Sequence, residues 1–206
     1  LAEADIFFYP LQPDHYGTAE NALVEAMSLG LTPVVLGNPA ERFNEDALRM
    51  LRAVRLVAEL GFAIEGATAA AISENKEHLR HVSRERIRDE LVRILNSPAP
   101  MNALVLAQQL GILEYIVPDL IRGIGVEQNQ AHSYDVFEHN LRTMQHGADK
   151  EWNFDVRLAG LFHDISKPET RRWSEEKKDW TFHGHEVVGS RVTKKALEDL
   201  RFSRET

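Results

Sequence analysis

The sequence predicts a mainly α protein, a multi-helical array preceded by a short N-terminal βαβ unit. Three observations carry that expectation. From Asn44 onward apolar residues recur with helical period, as at Leu48, Leu51, Val54 and Ala58. Breaks at Gly61-Phe62 and at Ser97-Pro98-Ala99-Pro100 divide the pattern into separate helices. Upstream, two β-rich runs, Ile6-Phe7-Phe8-Tyr9 and Pro33-Val34-Val35-Leu36, flank an apolar-periodic stretch from Asn21 to Leu29.

Gly17-Thr18 stands just before that stretch and Gly30 where a helix-terminating glycine belongs, so residues 5–37 read as strand, helix, strand. A lone parallel pair cannot cover both of its faces and needs a partner surface. Further helices are expected over residues 67–75, 83–95, 101–110, 136–147, 156–164 and 185–200, with Ser83 and Asn153 as N-caps.

An apolar content of 43% in 206 residues suffices for one ordinary core or two small ones. The net charge of -8 excludes a wholly basic surface, so any RNA contact must be local. With no cysteine, disulfides and thiolate metal sites are excluded, and a metal must be held by carboxylates and some of the nine histidines. No apolar run approaches a membrane span, and the opening LAEADIFFYP lacks the pattern of a secretory leader. A cytoplasmic location is expected. The start at Leu1 and the stop in an unfinished helical region read as an internal fragment.

The first motif with chemistry runs from Arg42 to Arg55, with Glu45 and Asp46 in a first helical turn and arginines after them. Asp46 and Arg49, three apart, are expected on neighbouring points of one face, and Arg49, Arg52 and Arg55 on a stripe opposite the apolar one. A carboxylate only accepts hydrogen bonds and a guanidinium only donates, so the pair matches the Watson–Crick edge of a base, while the next arginine meets phosphate. Spacing alone favours the plainer reading, an intrahelical ion pair on a solvated face.

The string RFNEDALRMLRAVRLVAELGF, followed in order by Val82 to Leu91 and Ile94-Leu95-Asn96-Ser97, resembles the neck and body of bacterial CCA-adding tRNA nucleotidyltransferases and poly(A) polymerases. The resemblance implies that Asp46 and Arg49 pair with CTP or ATP, that Glu45 orients them, and that Arg52 lies near the triphosphate. It also implies that the helical body receives a tRNA 3′ end.

The second constellation comprises His139, His163-Asp164-Ile165-Ser166-Lys167-Pro168 and Phe182-His183-Gly184-His185-Glu186. A helix carrying His139 and another ending in His163-Asp164 can bring two imidazoles and a carboxylate to one point, a set that suits a divalent metal with open positions. A lone helical histidine is more often structural. The adjacent His163-Asp164 pair, and the run from Asp135 to His139, weigh against that here. These residues resemble the HD superfamily of metal-dependent phosphohydrolases, a domain that some CCA-adding enzymes carry after the body. The resemblance implies His139, His163 and Asp164 as ligands of a divalent ion, with Mg, Mn and Ni undistinguished. It implies Lys167 as a catalytic group contacting a substrate phosphate, and His183 and His185 as weaker candidates for a second metal. The family's last ligand, an aspartate on a later helix, is expected past the end of the chain, because Asp199 stands too close to the His183 motif.

A third stretch, from Asp14 to Met27 followed by Pro33-Val34-Val35-Leu36, resembles the donor-binding half of GT-B glycosyltransferases and implies a donor-ribose contact for Glu25. Gly17 falls where that family's upstream glutamate belongs, so a scaffold role is the preferred reading. The expected division is thus an α/β segment over residues 1–41, a helical neck and body over 42–130, and a partial HD domain over 131–206. No nucleotidyltransferase head precedes the neck, so transfer activity is expected to be absent. The expected function is part of a tRNA 3′-end nucleotidyltransferase with a phosphohydrolase region. The alternatives are a non-catalytic RNA-binding or scaffold module that uses Arg49, Arg52, Arg84, Arg86 and Arg88, and a glycosyltransferase fragment.

Overall fold

The structure, a computed structural model, describes residues 6–9, 32–35, 39–61, 63–129 and 133–203. The two N-terminal runs form strands β1 (Ile6–Tyr9) and β2 (Thr32–Val35), which pair in parallel with Ile6 opposite Thr32 and Tyr9 opposite Val35. Parallel strands require a crossover between them. The helix expected to supply it, and Glu25 on that helix, lie outside the described residues.

The helical array opens with α1 (Pro39–Glu45), breaks at Asp46-Ala47 and resumes as α2 (Leu48–Leu60). Gly61 ends α2 with φ +71°, a left-handed conformation that costs glycine little, and its N–H donates to the Val57 carbonyl. α2 buries Leu48, Leu51, Val54 and Ala58, as their spacing predicts. It also buries Arg55 completely, so the expected arginine stripe does not stay on the opposite face. The cause is tertiary, since Glu90 from a later helix supplies a partner inside the core.

Next come α3 (Gly66–Asn75), a 3-10 segment (Lys76–His81) and α4 (Arg84–Asn96), the last capped by the Ser83 hydroxyl as expected. α5 (Pro100–Gln109) begins on a proline, whose missing N–H is harmless in a first turn. After a 3-10 turn (Leu113–Tyr115) and the short α6 (Pro118–Ile121), α7 spans Val136–Asp149 and α8 spans Phe154–Phe162. Asp135 caps α7 by accepting from the Glu138 N–H at 2.7 Å, and its other oxygen accepts from the Gly125 N–H at 2.8 Å. Asn153 caps α8, again as expected. α9 (Lys167–Thr170), strands β3 (Arg172–Ser174) and β4 (Asp179–Thr181), and α10 (His185–Asp199) complete the order.

Two local differences from the sequence reading matter. The β3–β4 hairpin, with Trp173 opposite Trp180, was not expected. Its loop, Glu175-Glu176-Lys177-Lys178, is all charged and has neither glycine nor asparagine, so the usual turn signal is missing. Lys178 adopts φ +49° regardless. The flanking pattern of tryptophan, serine and threonine was the available clue. In addition, α8 stops at Phe162, which leaves His163 and Asp164 in the turn that follows rather than inside the helix.

One apolar core runs from Phe43 through Met50, Ile94, Leu104 and Leu161 to Leu200. Each large aliphatic side chain buried in it contributes about 1.5–3 kcal/mol of transfer free energy. α2 packs on α4 and α5, and α7 packs on α8. The last contact is tight because of Gly160, where an added Cβ would stand 3.2 Å from the Met144 backbone nitrogen. Among the described residues no helix is long and apolar enough to cross a membrane.

Candidate metal centre and the Glu45–Arg49 region

The close α7–α8 packing brings His139 from α7 beside His163 at the end of α8. Their Nε2 atoms are 3.0 Å apart, and each faces Asp164 Oδ2, at 3.3 Å from His139 and 3.2 Å from His163. His163 Nδ1 lies 2.8 Å from the Gly160 carbonyl. A carbonyl can only accept, so in the neutral ring the proton sits on Nδ1 and the Nε2 lone pair points into the cluster. Asp164 is nearly inaccessible, while the two imidazoles remain partly open to solvent.

These three groups are the metal-capable set found among the described residues, and their ligand atoms lie within 4.8 Å of one another. The donor set can be tested against a divalent ion. Bonds of about 2.0–2.2 Å to three atoms place neighbouring ligand atoms about 3.0–3.6 Å apart. The observed separations fall in that range, so two imidazole nitrogens and a carboxylate oxygen stand at ligand spacing. The residues therefore fit a divalent metal.

Two further residues reach the same carboxylate. Lys167 Nζ stands 2.7 Å from Asp164 Oδ2 and 2.6 Å from Gln128 Oε1, almost wholly buried, with the Phe182 ring 5.3 Å away. His185 Nε2 lies 3.5 Å from Asp164 Oδ1, and its Nδ1 is 2.7 Å from the Phe182 carbonyl. His183 is exposed and lines a cavity of about 440 Å³ together with Lys167 and His185. Sequence reasoning missed Gln128 and the Gly160 carbonyl, neither of which belongs to a recognisable spacing.

The electrostatics follow from the geometry. Burial alone would depress the His163 imidazolium, but the hydrogen bond and charge of Asp164 outweigh it and hold that group above the ordinary histidine value. Burial would likewise raise the Asp164 carboxyl. Hydrogen bonds from His163 and Lys167, with their charges, reverse this and hold it well below the usual carboxylate range.

In the neck, the break at Asp46-Ala47 takes Asp46 off the helix. Its Oδ1 accepts from the Leu48 N–H at 3.2 Å, and its Oδ2 meets Arg86 Nη2 of α4 at 2.8 Å. Arg49, on α2, donates to Glu45 at 2.7 Å and to the Arg42 carbonyl at 3.2 Å. Asp46 and Arg49 are therefore held by different partners rather than as one face of a continuous helix. Hydrogen bonds from Arg49 and then Arg42 lower the Glu45 carboxyl pKa. A cavity of about 440 Å³ opens beside Glu45 and Asp46, with His78, His81 and Arg86 on its other walls. Arg52 Nε lies 3.4 Å from Glu90.

Two arginines named for an RNA-binding surface are structural ties. Arg84 donates to the carbonyls of Tyr115 at 2.5 Å, Ile116 at 3.1 Å and Asp199 at 3.3 Å. Arg88 donates to the Arg201 carbonyl at 2.6 Å and to Asp89 at 2.7 Å. Both join α4 to the end of α10, 113 and 115 residues away in sequence.

The structure thus has two parts, a helical body and, after it, a region built around the His/Asp cluster. Residues 61–123 match the family model described as the probable RNA and SrmB-binding site of polymerase A, and residues 136–206 match the HD domain model. The chain is 36% identical over 172 residues to a CC-adding tRNA nucleotidyltransferase of Thermus thermophilus, covering 80% of this chain and 40% of that protein. It is 32% identical over 168 residues to an A-adding tRNA nucleotidyltransferase of Deinococcus radiodurans, covering 78% and 39%. A CCA-adding enzyme of Lacticaseibacillus paracasei is 58% identical over 60 residues, which is 29% of this chain and 15% of that one. The two family matches and these relatives together support reading the chain as a fragment of the CCA-adding tRNA nucleotidyltransferase and poly(A) polymerase family. It spans about two fifths of the length of the first two relatives. Neither family match includes residues 1–41.

Proposed function

We propose that this chain supplies the neck, body and HD portion of an enzyme that builds the tRNA 3′ end in the cytoplasm. The observation that carries the reading is the 36% identity with a CC-adding enzyme across 80% of this chain. On this reading residues 42–130 select nucleotide and receive tRNA, residues 131–206 form the HD region, and residues 1–41 are a separate α/β segment.

Asp46 and Arg49 offer hydrogen bonds to the base of CTP or ATP. Glu45 pins Arg49, and Arg52 is the neck arginine nearest the phosphates. His139, His163 and Asp164 hold a divalent metal ion, which when bound acidifies water and polarises a phosphoryl oxygen. Lys167 contacts a substrate phosphate while balancing the charge of Asp164. The glycosyltransferase reading of residues 1–41 rests on sequence alone, and saturable nucleotide-sugar binding that is lost in Glu25→Ala would revive it.

The test is fluorescence anisotropy with labelled tRNA over a salt series, combined with NMR titration by CTP and ATP. Affinity should fall steeply with salt, because phosphate contacts release counterions. Nucleotide-induced shifts should map to residues 42–55 and weaken in Arg49→Ala. Salt-independent tRNA binding, or shifts confined to other segments, would refute the proposal.

A further inference from the structure

Gln128 lies in the loop between α6 and α7, outside the motifs read from the sequence, yet only 6% of its surface is exposed. Its amide makes two bonds. Nε2 donates to the Tyr134 carbonyl at 3.2 Å, and Oε1 accepts from Lys167 Nζ at 2.6 Å. An ammonium only donates and a carbonyl only accepts, so the two partners fix which end of the amide faces which.

Those partners belong to the two segments that carry the candidate metal ligands. Tyr134 immediately precedes Asp135, the N-cap of the helix that bears His139. The loop is also stitched to that helix start by the Gly125 N–H to Asp135 at 2.8 Å, the Val136 N–H to the Val126 carbonyl at 3.1 Å and the Phe137 N–H to the Gly123 carbonyl at 3.2 Å. On the other side, Lys167 follows the His163-Asp164 pair and donates to Asp164 Oδ2 at 2.7 Å. That oxygen is the one facing both imidazoles. A carboxylate oxygen has two lone pairs, so Oδ2 can accept from Lys167 with one and meet the imidazole cluster with the other.

Lys167 needs a second partner to hold it there. Its side chain is long and flexible, and it lines the cavity of about 440 Å³ together with Asp179 and Glu186, carboxylates toward which an unheld ammonium can turn. Gln128 supplies that partner from a loop that is itself tied down.

We propose that Gln128 is a positioning residue for the metal centre: it anchors the Lys167 ammonium to the start of α7, and Lys167 in turn fixes the orientation of the Asp164 carboxylate. The inference rests on the metal-centre reading and adds an outer partner to it, since hydrogen bonds to a ligating carboxylate tune its hold on the ion. In this role Gln128 acts only through Lys167.

The test is calorimetric titration of the whole chain with Mn²⁺, arranged as a double-mutant cycle. Gln128→Met, similar in shape but unable to make either bond, should weaken Mn²⁺ binding about tenfold, as loss of such outer partners does. In a Lys167→Met background the same substitution should have almost no further effect, because the residue through which it acts is gone. Equal losses in both backgrounds would overturn the proposal, since Gln128 would then act through the Tyr134 bond and the loop alone. Unchanged affinity in Gln128→Met would overturn it too. If Gln128→Met unfolds the chain, Gln128→Asn, one carbon too short to span both partners, runs the same cycle.

A metal-free measurement separates the two readings. Buried and held by two acceptors, the Lys167 ammonium should give an exchange-protected ¹H–¹⁵N signal in the parent that is lost in Gln128→Met. Loss of that signal in a protein whose parent form binds no Mn²⁺ refutes the metal centre and leaves the anchor standing. Normal Mn²⁺ binding in the parent, with the ammonium signal retained in Gln128→Met, refutes the anchor alone.

Discussion

Arg55 and Glu90 stand 35 residues apart in sequence, yet their Nε and Oε2 atoms meet at 2.7 Å with both side chains buried. The same guanidinium reaches Glu59 at 2.5 Å, and Glu90 also faces Arg52. Removing one member of a buried pair leaves an uncompensated charge in the core, which costs about 3–5 kcal/mol. Arg55→Ala should lower the urea midpoint accordingly. The double variant Arg55→Met/Glu90→Leu should recover most of the loss, because it removes both charges and refills the volume. If the double variant is as unstable as the single one, the pair is not the source of the effect.

A second prediction concerns the packing that holds the candidate metal ligands together. In Gly160→Ala the new methyl would press on backbone atoms of Met144 and Thr143 at 3.2–3.3 Å, and backbone cannot turn aside as a side chain can. Stability should fall by about 1–3 kcal/mol, as for other overpacked cores. Mn²⁺ affinity should fall with it, because α7 carries His139 and α8 leads to His163. Calorimetric titration would check this, and unchanged affinity would show that the two helices do not set the ligand spacing.

Metal binding should also compete with protons at His163. Its pKa is raised in the folded protein, so as pH falls through a value above about 6.5 the ring gains a proton and ceases to be a ligand. Mn²⁺ affinity should drop over that window, with proton release visible as a buffer-dependent binding enthalpy. The sign for metal-free stability is opposite. Protonated His163 beside Asp164 contributes stability that is fully present below the ordinary histidine pKa and is lost as pH rises through the raised one. Thermal melts with and without Mn²⁺ between pH 6 and 8 should therefore diverge as pH rises. His163→Ala should abolish the divergence.

Arg84 and Arg86 lie two apart on α4 but should behave differently. Arg84 satisfies three carbonyls, so Arg84→Ala should destabilise the fold by about 1–3 kcal/mol while leaving the salt slope of tRNA binding unchanged. Arg86 is exposed and holds Asp46 from outside the core. Arg86→Ala should leave stability nearly unaltered, yet change the CTP- and ATP-induced NMR shifts at Asp46. Equal effects of the two substitutions on both measurements would contradict the structure.

The Glu45 pin offers a pH test in the neck. Its carboxyl pKa is lowered by Arg49 first and Arg42 second, so the interaction is present above the ordinary glutamate value and is lost as pH falls through the lowered one. Carboxyl NMR titration should find Glu45 below a free glutamate, and Arg49→Ala should return it most of the way. A titration unaffected by Arg49→Ala would remove that arginine as the cause.

Helical periodicity located the buried face of α2, capping residues Ser83 and Asn153 opened two helices, and β-rich runs marked β1 and β2. These are local signals, set by the backbone hydrogen bonds and side-chain directions of a few consecutive residues. The identities of His139, His163 and Asp164 were also legible, through an ordered motif. Only the tertiary structure decided that Arg55 turns inward, that Asp46 leaves the helix for Arg86, that Arg84 ties α4 to α10, and that Gln128 meets Lys167. Each of those outcomes depends on a partner at least 35 residues away, which neither periodicity nor spacing can reveal. A charged side chain goes where burial has placed its counter-charge, and packing of the whole array sets that place.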